Sequence, residues 1–488
     1  MNFNMENKNL IDFNNKLKKS NIAVIGLGVS NIPLIKYLNN LGANITVFDK
    51  RNIEKIDNDI IKYLRENNIV GSFGEEYLKK LKGFDVIFRS PSCRPDTQEL
   101  IEEGRRGALV TSEVEMVVKL CPGKVIGITG SDGKTTTTSL IYEILKEGGY
   151  NCYLGGNIGI PLFDKLPEMK KEDIIVLELS SFQLMDMKVS PNISVITNIT
   201  PNHLDIHKSY EEYIDSKKNI FKYQKSGDIL VLNYNDSIVK KFEKDAIGDV
   251  VFFSKSEKLE NGVMLNDDLI KYAKDGIRRQ LLNVNDVKLR GRHNYENICT
   301  AIAATLSLVD FETQVSAIKK FNGVEHRIEF TREINGTKWY NDSIGSSPTR
   351  TIAGLNSFDE SIVLIAGGYD KHLDYTPLAK PILEKVKTLI LLGQTSVKIK
   401  EAVENACKEF EGNIVTTEDY ELLTFINKNV KKEIKIFTVN TLEEAVSRAN
   451  MEAECGEVVL FSPASASFDM FKNFMERGNV FKQLVNRL

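Results

Sequence analysis

One segment in the first third of the chain restricts the possible fold more than any other. The run GITGSDGKTT, residues 127–136, stands between a β-branched strand and a helical stretch that ends at Gly148. Glycines let backbone N–H groups close around phosphate oxygens, and the start of the helix adds partial positive charge. Lys134 is placed to reach the β- and γ-phosphates, and Thr135 to ligate Mg²⁺. The strict GxxxxGK[ST] pattern fails at Ile128, but the rest predicts a phosphate-binding loop.

The composition sets broad limits on what surrounds this loop. A chain of 488 residues has room for about three domains. Its 64 basic and 67 acidic residues leave a net charge of −3, which gives no support to a nucleic-acid partner. No stretch approaches the ~18 apolar residues of a membrane span, so membrane insertion is not expected.

Cysteine usage and the N-terminus indicate the compartment. The six cysteines are scattered without a CxxC pair, which predicts reduced thiols in place of a zinc site or disulfide framework. The first 20 residues lack the continuous apolar core of a secretory signal. We therefore expect a cytoplasmic protein.

Strands and helices alternate along the whole chain. Alternation of this kind predicts parallel sheets in three α/β units, with boundaries near residues 119 and 324. The clearest strands are apolar runs at residues 21–26, 45–49, 84–88, 124–129, 174–179, 193–197, 361–366, 388–392, 434–439 and 457–461.

The first of these units carries a glycine pattern that resembles a dinucleotide fingerprint. Gly26 and Gly28 follow the first strand, and Asp49 comes about twenty residues later. The third glycine position is occupied by Asn31, however. The pattern therefore leaves three interpretations open, namely NAD, a nucleotide or nucleotide sugar in the same crevice, and a structural turn. A loop through Ser92 lies at the same sheet edge.

Polar side chains end two strands of the second unit. Glu178 closes an apolar strand, and a carboxylate beside a phosphate-binding loop suits Mg²⁺. His203 and Asp205 follow the next strand and offer imidazole and carboxylate groups. Beyond them, the apolar face of a helix over residues 210–221 includes Lys217 at 3.6-residue spacing. An inward lysine must find an anion, lose its proton or be modified, unless its amine snorkels to solvent.

Further polar groups lie in the helix that closes the second unit and in loops of the last unit. Asn297 lies in that helix and is a candidate for a purine edge, and Arg327, after the presumed hinge, is placed to reach back toward the phosphates. Three loops of the last unit, residues 341–343, 367–371 and 462–469, collect polar groups just beyond strands. Their shared position fits a ligand site at one sheet edge.

Taken in order, these motifs resemble the Mur ligases of bacterial peptidoglycan synthesis. GITGSDGKTT, ELSSFQL, NITPNHLDIH, GRHNYEN, HRIE and NDS occur in the order of the family and cover essentially the whole chain. Within the family, ELSSFQL, NDSIGSSPT and SPASASFDMFKNFMERG are similar to the member that adds D-glutamate.

The resemblance implies a fold and a reaction. We expect a Rossmann-like domain for a UDP-sugar over residues 1–118, a central P-loop ATPase-type domain with a mostly parallel sheet over 119–323, and a Rossmann-like amino-acid domain over 324–488. ATP would phosphorylate the carboxylate of UDP-N-acetylmuramoyl-L-alanine, and the amine of D-glutamate would attack the acyl phosphate. The resemblance implies a monomer with these two substrates and with ATP and two Mg²⁺ ions as cofactors.

The implied site residues follow the matching motif positions. For catalysis they are Lys134, Glu178, His203 and Lys217, and for the metals Thr135, Glu178, His203 and Lys217 as a CO₂-derived carbamate. For ATP they are Gly130, Ser131, Asp132, Gly133, Lys134, Thr135, Thr136, Asn297, Arg327 and Asp342. For the UDP-sugar they are Val29, Ser30, Asp49, Lys50, Arg51, Ser92 and Asn157, and for D-glutamate Ser346, Lys371, Ser467 and Phe474.

Three positions depart from the family pattern. Ile344 stands where many members have a lysine, which removes one charged group near the D-glutamate site. Lys50 replaces a common threonine and Ser92 a common glycine, which changes the expected uracil and diphosphate contacts. Two alternatives stay open, namely another Mur-type or folylpolyglutamate-type amide ligase with a different amino acid, and a nucleotide-switch or NAD-binding module without ligase chemistry.

Overall fold

The computed structural model describes residues 7–203, 206–289, 291–409, 411–427 and 430–488. These residues form two compact units. The first comprises the described residues up to 287 together with 293–320, and the second those of 288–292 together with 321–488. The first unit contains two sheets and the second unit contains one. Three α/β domains in series, as predicted, are confirmed, whereas their residue boundaries stay a prediction.

The first sheet has five strands in the order β3-β2-β1-β4-β5, and all neighbours pair in parallel. Its strands are β1 (Asn21–Ile25), β2 (Asn44–Asp49), β3 (Val70–Phe73), β4 (Val86–Arg89) and β5 (Leu109–Thr111). The helices are α1 (Lys8–Leu17), α2 (Asn31–Asn40), α3 (Asn58–Glu66), α4 (Gln98–Arg105) and α5 (Glu113–Leu120). The strand order reverses between β1 and β4, and the crevice beyond that point is where α/β sheets of this kind bind ligands.

The second sheet has nine strands in the order β14-β13-β12-β11-β10-β9-β6-β8-β7. They are β6 (Lys124–Thr129), β7 (Cys152–Gly156), β8 (Ile174–Glu178), β9 (Ile193–Ile196), β10 (Ile229–Asn233), β11 (Asp249–Ser254), β12 (Gly262–Asn266), β13 (Leu269–Lys274) and β14 (Ile277–Asn283). The helices are α6 (Lys134–Glu147), α7 (Ser181–Leu184), α8 (Tyr210–Lys218), α9 (Arg292–Thr305) and α10 (Phe311–Lys320). Only β12, β13 and β14 pair antiparallel, at one edge. The central strands β8, β6 and β9 run in parallel, so the loops after them share one edge.

The third sheet has eight strands in the order β15-β16-β22-β17-β18-β21-β20-β19. They are β15 (Glu329–Ile334), β16 (Thr337–Asn341), β17 (Ile362–Ala366), β18 (Val386–Leu392), β19 (Asn413–Thr416), β20 (Glu421–Asn427), β21 (Val430–Val439) and β22 (Val458–Phe461). The helices are α11 (Pro348–Leu355), α12 (Thr376–Lys385), α13 (Ser396–Glu409), α14 (Leu442–Glu452) and α15 (Phe474–Arg487). The central strands pair in parallel, and antiparallel partners close both edges.

The packing of strand β17 shows why the central strands are apolar along their whole length in the sequence. Leu364 packs in the core that contains residues of α11 to α13, whereas Val363 and Ile365 pack in the core that contains residues of α14 and α15. Both faces of the strand are therefore covered by helices, and all five of its side chains are buried.

Candidate active site

A tight loop joins β6 to α6 and has the geometry of a phosphate-binding loop. Gly133 precedes α6 with a φ of 78°, and a Cβ there would lie 2.4 Å from Asn297 Oδ1, so only glycine fits. Lys134 folds back over the loop, because its Nζ donates to the carbonyl oxygens of Gly130 at 2.9 Å and Ser131 at 2.8 Å. Ile128 is buried within β6, so the loop is shorter than the GxxxxGK[ST] pattern assumes.

The loop is fixed by the segment that follows β9. The Asp132 N–H donates to Asn198 Oδ1 at 2.9 Å, and Thr197 Oγ1 donates to the Asp132 carbonyl at 2.6 Å. Ser131 Oγ lies 2.8 Å from the hydroxyl of Tyr213, on helix α8. Because side chains already support the loop's own backbone, its conformation is set before any phosphate binds.

Glu178 is the last residue of β8, and one of its two carboxylate oxygens has no hydrogen-bond partner among the described residues. Its side chain is buried, and Oε1 accepts a hydrogen bond from Asn157 Nδ2 at 2.7 Å. Its Oε2 is buried without a hydrogen-bond partner. A buried carboxylate oxygen without a donor is costly, and a hard cation removes that cost. The donor chemistry here thus fits Mg²⁺. Asn157 lies against this carboxylate, and its predicted UDP-sugar contact stays a prediction.

Lys217 is directed inward, as its helical spacing predicts. Only 1% of the residue is exposed, and Nζ donates to the Gly130 carbonyl at 2.8 Å and lies 4.6 Å from the Tyr213 ring centre. Among the described residues, no carboxylate lies within ion-pair distance of this nitrogen. Burial, and then the like charge of Lys134, hold the pKa of Lys217 well below its ordinary value. A larger fraction of this amine is therefore neutral than in an ordinary lysine.

Two histidines follow β9, and sequence reasoning identified only one of them. His203 is exposed, with a φ of 55° and its ring 5.2 Å from the Phe182 ring. His207 is buried, stacks on the same Phe182 ring at 5.2 Å, and places Nε2 at 2.9 Å from Ser181 Oγ. Burial lowers the pKa of His207. The missed signal was the four-residue spacing of the two histidines; Asp205, between them, lies outside the described residues.

Asn297 on α9 is placed against the phosphate-binding loop. It is buried, and Thr137 Oγ1 donates to its Oδ1 at 3.3 Å. Its amide nitrogen donates to Asn294 Oδ1 at 3.2 Å. The same Oδ1 approaches the position of a Cβ on Gly133, so Asn297 packs on the loop backbone itself. Thr135 and Thr136 follow on the first turn of α6.

An aspartate–arginine pair ties together the loops after β1 and β2 at one side of the crevice of the first sheet. Asp49 ends β2 and accepts hydrogen bonds from the Leu27 N–H at 2.7 Å and from Arg51 Nε at 2.9 Å. Burial acts to raise the pKa of Asp49, but the bonds from Arg51 and the backbone outweigh it and lower the pKa. Asn31 replaces the third glycine and donates to the carbonyls of Ile25 and Gly26, both at 2.9 Å. The side-chain amide of Asn31 thus links the start of α2 to the end of β1. A glycine at this position would instead allow the helix to pack closely on the strand.

Across this crevice, the loop after β4 forms the other wall. A Cβ on Gly26 would lie 2.7 Å from Ser90 Oγ, which shows how closely the two loops meet. Ser90 Oγ lies 2.9 Å from Ser92 Oγ, and Val29 is 79% exposed. Lys50 and Ser92 both line a cavity of about 460 Å³ beside the crevice. Ser30 lies at the start of α2, on the crevice side.

In the second compact unit, which contains residues 321–488, Asp342 follows β16 and is buried. Its Oδ2 accepts from Ser462 Oγ at 2.6 Å, and its Oδ1 accepts from the Ile328 N–H at 3.3 Å. Burial raises the pKa of Asp342 to about 7. Arg327 lies between two residues in the left-handed region, His326 with a φ of 64° and Ile328 with a φ of 45°. Asp342 and Arg327 are thus brought close together at one end of the sheet.

Arg477 joins the loops of this unit and was missed by sequence reasoning. Its Nε donates to Ser343 Oγ at 3.1 Å, and Nη1 donates to the carbonyls of Ser465 at 3.1 Å and Ala466 at 2.9 Å. Only 2% of Arg477 is exposed, and no carboxylate of the described residues lies within ion-pair distance. Burial lowers its pKa to about 10. No local pattern signals this role, because the partners lie far away in sequence.

Of the four predicted D-glutamate residues, Ser467 and Phe474 lie next to contacts of Arg477. Ser467 follows the two carbonyls that Arg477 binds, and Phe474 begins α15 one turn before it. Lys371 Nζ lies 5.6 Å from the ring centre of Phe468. The fourth, Ser346, follows Ile344, whose carbonyl accepts a hydrogen bond from Arg350 Nη1 at 3.2 Å. A charged side chain therefore remains beside the position where the family lysine is absent.

Known domain families match most of the chain. The MurD-like N-terminal domain of Mur ligases matches residues 20–112, the Mur ligase middle domain residues 128–305, and the Mur ligase glutamate ligase domain residues 326–465. A relative from Acetivibrio thermocellus, named UDP-N-acetylmuramoylalanine–D-glutamate ligase, is 49% identical over 99% of both chains. The chain belongs to the Mur ligase family.

Other members of the family support the same placement. A relative of the same name from Clostridium botulinum strain 657 is 49% identical over 98% of this chain and 99% of its own. Another from Ruminiclostridium cellulolyticum is 47% identical over 99% of this chain and 100% of its own. The crystal structure of the Mur ligase MurC from Thermotoga maritima has a TM-score of 0.55 at 17% identity, and covers 96% of this chain and 99% of its own. Mur ligases are ATP-dependent, which agrees with the loop after β6. Among the residues that the structure describes, no helix has the length and apolar character needed to cross a membrane.

Proposed function

We propose that this chain is an ATP-dependent ligase that joins D-glutamate to UDP-N-acetylmuramoyl-L-alanine through an acyl phosphate, in the cytoplasmic part of peptidoglycan synthesis. The observation that carries the proposal is the cluster at the end of β6, where Lys134, Glu178 and Lys217 surround one phosphate-binding loop. Identity of 47–49% to relatives that bear this name gives the substrate class.

The loop between β6 and α6 would hold the phosphates of ATP. Its N–H groups bind phosphate oxygens, and Lys134 would exchange its two carbonyl bonds for the β- and γ-phosphates. Thr135 and Glu178 would hold one Mg²⁺, and His203 with Lys217 a second. Bound Mg²⁺ offsets the repulsion between the anionic acceptor and ATP. Asn297, Arg327 and Asp342 complete the proposed ATP contacts.

Lys217 fits the modification that the family resemblance implies. The lowered pKa raises the fraction of its amine in the neutral form, which is the form that adds to CO₂. Addition forms an N–C bond and releases one proton, leaving an anionic carbamate. Such an anion would neutralise the local excess of positive charge from Lys134 and a metal ion. The inward direction of the side chain supports this role, since Gly130 and Thr129 are its present partners.

The nucleotide sugar would bind at the crevice between β1 and β4. Asp49 and Arg51 hold one wall of it, and Ser92 stands on the other. Val29 and Ser30 lie at the start of α2, where a helix N-terminus favours a diphosphate. Lys50 is exposed and pairs with Glu75 at 3.5 Å, so it is free to exchange that partner for a ligand oxygen.

D-Glutamate would bind in the second unit through Ser346, Lys371, Ser467 and Phe474, and the position of Ser467 and Phe474 next to contacts of Arg477 supports this. Lys371 supplies positive charge for a carboxylate of the amino acid. The amine of D-glutamate forms the new N–C bond, the acyl–oxygen bond breaks, and phosphate leaves. We propose a monomer, because each substrate has a site within one chain.

A phosphate-release assay with two lysine variants tests the proposal. Release should require both UDP-N-acetylmuramoyl-L-alanine and D-glutamate, and Lys134→Ala should lower it by about 100-fold to 1,000-fold. Lys146→Ala, at the exposed end of the same helix, is the matched control and should stay within about twofold of wild type. Unchanged turnover in Lys134→Ala would refute the role of Lys134, and wild type that releases no phosphate with both substrates present would refute the ligase and favour a binding module.

A further inference from the structure

Two arginines, one at the end of β4 and one in the loop after it, bond to segments that connect strands of the second sheet. Arg89 ends β4 and is buried; its Nε donates to Asp186 Oδ2 at 3.0 Å and its Nη2 to the Phe182 carbonyl at 3.3 Å. Arg94 lies five residues later, in the crevice loop that carries Ser92 and lines the cavity. The proposed mechanism uses neither arginine.

Arg94 makes five hydrogen bonds through one guanidinium group. Nε and Nη2 donate to the two oxygens of Asp96 at 2.8 and 3.1 Å. Nη2 and Nη1 donate to the two oxygens of Glu212 at 2.7 and 3.2 Å. Nη1 also donates to the Ile206 carbonyl at 2.7 Å. Paired, coplanar hydrogen bonds to two carboxylates fix the orientation of the Arg94 guanidinium group and also balance its charge.

Two partners of Arg94, Ile206 and Glu212, lie between His203 and the first turn of helix α8. The N–H of Ile206 donates to the His203 carbonyl at 3.1 Å, so Arg94 is linked to His203 through the backbone of Ile206. Glu212 lies in the first turn of α8 and accepts from the Lys208 N–H at 2.7 Å. Lys208 in turn pairs with Asp96. The segment of residues 206–212 is therefore held at both ends by the crevice loop of the first sheet.

This arrangement has a consequence for the reaction. The acceptor carboxylate arrives on a nucleotide sugar bound at the first sheet, whereas the phosphate that it must attack is held at the second. A displacement of about 1 Å between such groups costs roughly 100-fold in rate. A rigid link from the crevice loop to the metal-binding turn would remove that freedom.

We propose that Arg94 is a positioning residue, which fixes the 206–212 segment against the nucleotide-sugar crevice and thereby holds His203 at the second magnesium site. The inference rests on the proposed function, because it takes the role of His203 from it. Arg94 itself contacts neither metal nor substrate; it acts through Ile206 and Glu212.

Manganese binding tests this role without relying on turnover. Mn²⁺ titrations, followed by electron paramagnetic resonance, are run with the full chain, a non-hydrolysable ATP analogue and UDP-N-acetylmuramoyl-L-alanine. Wild type should bind two ions, and Arg94→Ala should weaken the second site by about tenfold while the first stays within about twofold. Arg279→Ala is the matched control, since Arg279 forms an ion pair with Glu312 elsewhere in the same unit and should leave both sites unchanged.

Two further variants separate positioning from general damage. Glu212→Gln should weaken the same site, and the double variant Arg94→Ala/Glu212→Gln should lose little more than either single variant, because the two residues act as one unit. Arg94→Lys should bind Mn²⁺ with intermediate affinity, since it keeps the charge but not the paired bonds. The inference would be overturned if Arg94→Ala bound two Mn²⁺ ions with wild-type affinity. It would also be overturned if the losses of Mn²⁺ affinity in the two single variants multiplied in the double variant. Failure of wild type to form a glutamylated product would instead refute the proposed function.

Discussion

The amine of Lys217 lies 2.8 Å from the carbonyl oxygen of Gly130, the first residue of the phosphate-binding loop. A lysine 1% exposed is thus in direct contact with the backbone that would bind ATP, and no carboxylate of the described residues lies within ion-pair distance of it. The contact joins helix α8 to the loop and places an amine of lowered pKa where an anion would complete a metal site.

Lys217→Ala should therefore lower ligase activity by about 100-fold, because the carbamate oxygens would be lost beside the transferring phosphate. Short carboxylic acids should restore part of the activity by entering the space left by the side chain. Lys218→Ala is the control, since Lys218 pairs with Asp245 at 2.7 Å on the helix surface and should be neutral. Full activity of Lys217→Ala without additive would contradict the carbamate role.

Asp342 should make the stability of the third domain depend on pH. Burial raises its pKa to about 7 from an ordinary value of 3.8, so the folded protein holds this proton more tightly than the unfolded chain does. The stability contributed by the proton is complete below about pH 4 and is lost as pH rises through about 7. The free energy of unfolding of the wild type should therefore fall, relative to that of Asp342→Asn, as pH rises from about 4 to about 7.

Trp339 is a suitable probe for that measurement. It is the single tryptophan of the chain, is fully buried, and lies on β16 three residues before Asp342. Urea unfolding followed by its fluorescence, at a series of pH values from 4 to 8, gives the difference between the two proteins. A difference that does not change with pH would show that the carboxyl titrates near its ordinary pKa when folded.

Arg477→Lys should weaken the use of D-glutamate. A lysine keeps a charge but cannot bond Ser343, Ser465 and Ala466 together, so the loops next to Ser467 lose their common anchor. The KM for D-glutamate should rise by about tenfold, the effect of one or two lost charged hydrogen bonds, while the KM for the UDP-sugar changes little.

The control for this variant lies on β15 and contacts the end of the same helix. Arg332 donates to the carbonyl of Asn486, near the end of α15, at 3.1 Å, and Arg332→Lys should leave both KM values within about twofold. Equal increases in the two KM values for Arg477→Lys would point to a general loss of structure and contradict a role at the D-glutamate loops.

Features set by local sequence were predicted correctly. The phosphate-binding loop depends on glycines and a strand–helix junction that lie within ten residues, and the inward direction of Lys217 follows from 3.6-residue spacing. The fully buried central strands, such as β8 and β17, were found because both faces are apolar. The three-domain α/β architecture followed from their alternation with helices.

Features set by distant partners were missed. Arg477 is bonded to Ser343, 134 residues earlier, so no window of sequence contains that site. His207 is bonded to Ser181, 26 residues earlier, and its spacing from His203 was its one local signal. The antiparallel strands β12 to β14 extend one edge of the second sheet, where one face is solvated and the apolar signal is weak. Asn31 was read as a departure from the glycine pattern, because its two bonds to strand carbonyls appear only in the folded chain.

An amino-acid panel with product mass tests the central claim most directly. The purified chain is supplied with ATP, Mg²⁺ and UDP-N-acetylmuramoyl-L-alanine, and with D-glutamate, L-glutamate, L-alanine, L-lysine or meso-diaminopimelate in separate reactions. We predict one product, heavier than the acceptor by one glutamyl residue, from the D-glutamate reaction alone, with one phosphate released for each product. Equal turnover with any other amino acid of the panel, or phosphate release without the acceptor, would contradict the account.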